Sequence, residues 1–133
     1  MNVIVTSLIL EEVIEHARAA YPNEACGLLV GRQNADCFIP MKNTAASADR
    51  YEMDPAELIV QLRDLRTTGE TLIAIFHSHP HGPAEPSRTD IARAYYPEAA
   101  HLIVSLAEPE RPQAVAFRIV DGGALPIELH VIV

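Results

Sequence analysis

The chain has 133 residues, enough for one domain (1–133) with a real hydrophobic core and no covalent staples. Hydrophobic residues make up 49% and charged residues 21%, a globular balance, and the apolar runs are strand-sized, so no membrane span is expected. A net charge of −8 without any cluster of Lys and Arg argues against nucleic acid as partner and favours a protein or small-molecule ligand.

In chain order, "NVIVT" reads as an edge strand. From Ser7 to Ala20 the residues Leu10, Val13, Ile14, Ala17 and Ala20 recur at helical spacing. Glu11 and Glu12 are expected in the early turns, where the helix dipole favours acids, and Pro22 and Asn23 end the helix. "EACGLLVGR" and "ADCFIPMK" are strand-like and meet around Gln33 and Asn34 as a hairpin, after which "NTAASADR" is loop. "DPAELIVQLRDLRTTG" predicts a helix with Asp54 as cap, Pro55 at the first position, Glu57 completing a capping box and Gly69 as the stop. "TLIAIFHSH" is a buried strand, and "SRTDIARAYYP" is a short helix stopped by Pro97. "HLIVSLA", "QAVAFRIV" and "PIELHVIV" are three more strands, the last two joined by "DGG". The order β-α-β-β-α-β-α-β-β-β predicts one mixed sheet with helices packed over it, an α/β layer architecture.

The chemistry gathers at the end of the buried strand. His77 and His79 are separated by one residue, so they project to the same face, and two imidazoles at a strand end can share a metal ion. Pro80 fixes the exit of the chain, and the loop "HGPAEP" leads to Ser87, with Asp90 three residues later at a helix start. Two His and one carboxylate leave a fourth tetrahedral position of Zn²⁺ for water, the pattern of a catalytic site. Such a site needs a base. The candidate is Glu24, which precedes a run suited to a buried strand, an awkward place for a carboxylate unless it faces a cleft. Nothing in its position alone brings it to the histidines.

The stretch "HSHPHGPAEPSRTD" closely resembles the JAMM (MPN+, JAB domain) metalloprotease motif, HxHP-x6-SxxD, with a glutamate far upstream. His77, Ser78, His79 and Pro80 fill HxHP, Ser87 and Asp90 fill SxxD, and Glu24 stands after the first helix, ahead of "GLLVG". The resemblance implies that His77, His79 and Asp90 bind one zinc ion, that Glu24 is general base and acid, and that Ser87 helps stabilise the oxyanion. It also implies a three-layer fold, a mixed sheet flanked by helices like that of cytidine deaminases. With so short a chain, the compact prokaryotic type is expected. Those members resemble enzymes cutting after the C-terminal Gly-Gly of ubiquitin-like or sulfur-carrier proteins, in some cases releasing an amino acid such as cysteine.

Other readings compete for the same residues. Ser87 caps the following helix, with Asp90 as its capping-box partner, a role that leaves the two histidines ahead of it unexplained. His81 and Glu85 occupy variable motif positions and are expected at the surface, while His16, His101 and His130 are expected exposed or in ordinary packing. Cys26 reads as a small buried residue rather than a nucleophile. A metal-free scaffold or protein-binding module is the alternative function, disfavoured because every ligand position is filled. A deaminase would carry a CxxC pattern, which is missing, and a metal-dependent barrel hydrolase needs about 250 residues. Without a leading signal segment the expected location is the cytoplasm, where Cys26 and Cys37 stay reduced. The oligomeric state is left open, a homodimer included.

Overall fold

The computed structural model describes residues 2–133, so that Met1 of the expected domain lies outside it. The elements are β1 (Asn2–Thr6), α1 (Ser7–Ala20), β2 (Cys26–Gly31), β3 (Cys37–Met41), α2 (Pro55–Thr68), β4 (Thr71–His79), α3 (Arg88–Ala92), β5 (Ala100–Ser105), β6 (Gln113–Val120) and β7 (Gly123–Ile132). All strands join one sheet in the order β1-β7-β6-β5-β4-β2-β3. The pairs β1–β7 and β4–β5 are parallel and the others antiparallel, so the sheet is mixed as expected. It curls until its edges approach: Val5 bridges Ala35, whose N–H donates to the Ile4 carbonyl at 2.7 Å.

Each sheet face carries its own apolar core. On one face Val13 and Ala17 of α1 pack with Val3, Val5, Leu29, Phe76, Leu102 and Val104. On the other, Leu65 of α2 packs with Cys26, Leu28, Val30 and Ile75, and Ile91 of α3 lies against Ile103 and Phe117. Helix, sheet and helix make three layers. β4 runs through the middle, which explains the unbroken burial from Ala74 to Pro80.

The limits of α1 and α2 fall where the sequence puts them, and the differences lie in their capping details, at the end of α3 and at the start of β7. Thr6 caps α1 by accepting the Ile9 N–H at 3.2 Å, which puts Glu11 and Glu12 beyond the first turn, where the dipole acts weakly. In α2 the Asp54 carboxylate accepts from Ala56 N–H at 2.9 Å, one residue short of Glu57. Glu57 makes no reciprocal bond among the described contacts, so the expected box reduces to a single cap and a favourable charge. Gly69 ends α2 with φ of 77°, donating its N–H to Leu65. α3 stops at Ala92, well before Pro97. Pro97 disfavours helical backbone at Tyr96, and Tyr96 turns instead into the α2-side core. β7 begins at Gly123 rather than Pro126, because Asp121 and Gly122 both take positive φ (52° and 73°) and close a tight two-residue hairpin.

Gly27 marks a close approach between β2 and the neighbouring β3. A Cβ there would lie 2.5 Å from the Phe38 ring and 2.7 Å from the Ile39 carbonyl oxygen. Gly27→Ala is therefore expected to cost about 2–3 kcal/mol, read as a lower denaturant midpoint at unchanged slope. An unchanged midpoint would show that the ring and strand yield freely.

Candidate active site

Pairing of β2 with β4 sets the geometry. Cys26 lies opposite His77 and Gly27 opposite Phe76, so the same antiparallel register, carried past the ladder's end, puts Glu24 across from His79. Glu24, Cys26, His77 and His79 then share the face that α2 and α3 cover. Ser78 points the other way: its Oγ accepts the Ala25 N–H at 2.8 Å and its own N–H donates to the Ala25 carbonyl at 3.0 Å. The residue between the two histidines thereby clamps the chain next to Glu24.

α3 delivers the third group. Ser87 caps it, with Oγ accepting the Asp90 N–H at 3.0 Å, while Asp90 Oδ2 accepts the Ser87 N–H at 2.9 Å. This is a complete capping box, and it fixes the Asp90 carboxylate toward β4. His77 Nε2, His79 Nε2 and Asp90 Oδ2 consequently form a nearly equilateral triangle with sides of 3.1, 3.0 and 3.1 Å. His77, His79 and Asp90 are all buried.

The triangle fits a metal ion. A tetrahedral zinc centre with ligand distances near 2.0–2.1 Å separates its ligand atoms by about 3.3 Å. The proton placement fits as well. The Pro83 carbonyl, which can only accept, lies 2.7 Å from His79 Nδ1, so Nδ1 carries a hydrogen. A neutral His79 therefore points a lone pair from Nε2 at a carboxylate oxygen and a second imidazole, a cluster of lone pairs that a cation or a proton must hold together. For His79 burial disfavours the charge, but the Asp90 hydrogen bond and charge and the Pro83 carbonyl outweigh it and raise its pKa. Burial prevails at the enclosed His77 and lowers its pKa. Burial likewise works against the Asp90 carboxylate, yet hydrogen bonds from His77, His79 and Ser87 hold it well below the usual carboxylate range.

Glu24 is only 3% exposed, and its Oε1 has no hydrogen-bond partner among the described residues. Burial pushes its pKa up to about 8; the proximity of His79 opposes this, and Asp90 and Asp49 add to it. A carboxyl that changes charge near neutral pH within reach of the triangle is suited to proton transfer.

Two neighbours carried no signal in the sequence. Tyr51 stacks on His77 with ring centroids 4.7 Å apart and 21° between planes, shielding it from solvent. His101, expected exposed or in ordinary packing, is 3% exposed with its Nε2 unpartnered among the described residues, and burial followed by the effect of His77 lowers its pKa to about 4. It faces a cavity of about 260 Å³ that Tyr51, Asp90, Arg93 and Tyr96 also line. The parallel pairing of His101 with Ile75 puts it on the site's face, a consequence of strand order that local sequence does not carry. His81 and Glu85 are exposed, and His81 sits edge-on to Tyr21 at 5.3 Å. His16 packs on Phe38, and His130 pairs with Glu128 at the surface. Cys26 and Cys37 are both free, and burial pushes the Cys26 thiol up to about 12, far from a nucleophile's range. No helix among the described residues is long and apolar enough to cross a membrane.

The chain is similar to known proteins over most of its length. A CysO-cysteine peptidase of Mycobacterium tuberculosis is 33% identical over 132 residues, covering 97% of this chain and 90% of the relative. A probable TtuB-protein conjugate cleaving protease of Thermus thermophilus is 41% identical over 87 residues, 65% of this chain and 59% of that protein. Among solved structures, a protein from Desulfitobacterium hafniense superposes with a TM-score of 0.86 at 39% identity, covering 98% of this chain and 92% of the other. The family model of prokaryotic homologs of the JAB domain matches residues 7–120, which takes in β4, α3 and Glu24, and the chain belongs to that family.

Proposed function

We propose that the chain is a zinc-dependent peptidase or isopeptidase that hydrolyses the amide bond after the C-terminal Gly-Gly of a ubiquitin-like or sulfur-carrier protein. The observation that carries this reading is the buried triangle of His77 Nε2, His79 Nε2 and Asp90 Oδ2, with the His79 proton fixed on its far nitrogen. Relatives named for cleaving CysO-cysteine and a TtuB–protein conjugate support the substrate class. The leaving group is then an amino acid such as cysteine or the amine of a conjugated protein.

One Zn²⁺ held by His77, His79 and Asp90 supplies a Lewis acid that acidifies water and polarises the scissile carbonyl. The chain's own groups do the rest. Glu24 takes a proton from the attacking water and returns it to the leaving amine. Ser87 Oγ already accepts the Asp90 N–H, which leaves its hydroxyl hydrogen free to donate to the developing oxyanion. The Pro83 carbonyl and the Ser87 N–H orient His79 and Asp90, and Tyr51 keeps water from His77.

Incubation of the zinc-loaded protein with a Gly-Gly-tailed sulfur-carrier fusion should release the segment beyond the second glycine, with chelation abolishing turnover and added zinc restoring it. Cleavage elsewhere, or turnover insensitive to chelator, would remove the proposal. His77→Ala should lose the metal, whereas Glu24→Gln should keep it stoichiometrically by elemental analysis and lose about 10²–10⁴-fold in kcat. Ser87→Ala should lower kcat about 10²-fold while keeping stoichiometric zinc, because the Ser87 N–H bond to Asp90 Oδ2 survives the change; loss of the metal would show that its role is to place Asp90.

Glu24 also ties stability to pH. Its pKa in the folded chain, about 8, exceeds the ordinary 4.5. Below the lower value both folded and unfolded chains are protonated there; as pH rises through the interval the unfolded chain ionises first and stability falls. Glu24→Gln in the metal-free protein should therefore raise the melting temperature by on the order of 10 °C at pH 8 and leave it unchanged near pH 4. Equal shifts at both pH values would show that Glu24 does not carry this charge.

A further inference from the structure

The segment between β3 and α2 reads as plain loop, but one side chain organises it. The Asn43 amide nitrogen donates to the Glu24 carbonyl at 3.0 Å and to the Arg50 carbonyl at 3.1 Å. Its oxygen accepts the N–H groups of Ala45 and Glu52, both at 3.0 Å. Both donors and both lone pairs are used, the full capacity of an amide. Around this hub the loop closes through Thr44 N–H to the Glu52 carbonyl at 2.8 Å, and the Ser47 carbonyl accepts the Glu24 N–H at 2.8 Å.

Every backbone polar group of Glu24 and Ala25 is thereby engaged: the loop holds those of Glu24, and Ser78 holds those of Ala25. The Glu24 side chain, by contrast, has a buried oxygen without a partner, so its position comes from its backbone. The same loop carries Tyr51, stacked on His77. We infer that Asn43 is a positioning residue for the proton-transfer group, locking the backbone of Glu24 and the loop bearing Tyr51 into one rigid unit. It rests on the role proposed for Glu24. Misplacing a reacting group by about 1 Å can cost about 10²-fold in rate, and Glu24 Oε1 has no hydrogen bond among the described residues to restrain it.

The test uses the zinc-loaded full chain and two variants. Asn43→Ala removes all four bonds; Asn43→Asp keeps the accepting oxygen and loses both donations, so it serves if the alanine variant folds poorly. Thr44→Val is the control, because the Thr44 hydroxyl braces the same loop on the Glu52 carbonyl at 3.0 Å without touching Glu24. Both Asn43 variants should retain stoichiometric zinc and lose at least about tenfold in kcat, with KM moving less than about threefold and Thr44→Val within about twofold of wild type. Hydrogen exchange at the Glu24 amide should accelerate at least about tenfold in both Asn43 variants, while the β5 amides stay unchanged. A kcat loss matched by Thr44→Val, or unaltered exchange at Glu24, would overturn the assignment. If wild type cleaves no Gly-Gly fusion, the proposed reaction fails, and the exchange measurement still decides whether Asn43 holds Glu24.

Discussion

Everything in the site depends on the register between β2 and β4. These strands are separated by a hairpin, a loop and a helix, yet their antiparallel ladder fixes Cys26 against His77 and so carries Glu24 to His79. A slip of one residue would turn Glu24 to the opposite face of the sheet, into the core that α1 covers. The register is protected from both sides. Leu28 and Leu29 bury into different cores, and Ser78 adds two bonds to Ala25 where the regular ladder has ended. Packing on both faces thus does what a longer strand would do, and it leaves the strand end open for chemistry.

That opening is electrostatically expensive. Four ionisable groups, Glu24, His77, His79 and Asp90, are buried within one small region. Their responses diverge: Asp90 is driven to its charged form, Glu24 is raised to about 8, and the two histidines move in opposite directions. Divergence of this kind separates a group that must stay anionic from one that must exchange a proton. The cause is geometric. Asp90 Oδ2 lies within hydrogen-bond distance of three nitrogen atoms, whereas Glu24 has an oxygen with no partner among the described residues. Protons and a metal ion would compete for the same lone pairs of the triangle, so metal affinity there falls as pH falls.

How much of this was legible in the sequence follows from sequence distance. The alternation of His77 and His79, the turn at Pro80 and the Ser87–Asp90 spacing are local, and the local rules for strands and caps place them correctly. The strand and helix order was legible for the same reason, as was the hairpin at Asp121–Gly122. Glu24 could be singled out as an odd carboxylate, but only the resemblance joined it to the histidines, since strand pairing over this distance has no local signature. Tyr51, Asn43 and His101 were invisible for a related reason. Tyr51 and Asn43 lie in a segment without periodicity, whose structure is one side chain's hydrogen bonds; His101 opens an apolar strand, and its neighbours come from β4 and α3. Helix limits failed where tertiary contacts won, as at Tyr96, which leaves the α3 direction to enter the α2-side core.

Ser87 shows how two competing readings of a sequence can both describe one atom. The capping reading needs its oxygen as an acceptor, and the structure supplies the Asp90 N–H for it. The catalytic reading needs its hydrogen as a donor, and a hydroxyl keeps that capacity after one lone pair is used. The cap moreover improves the catalytic geometry, because the reciprocal bond from the Ser87 N–H to Asp90 Oδ2 aims the carboxylate at the two imidazoles. α3 spans only Arg88–Ala92, too short to hold itself together without such an end. The box that starts the helix is therefore also what places the third corner of the triangle, and stability and site geometry at this point are a single interaction.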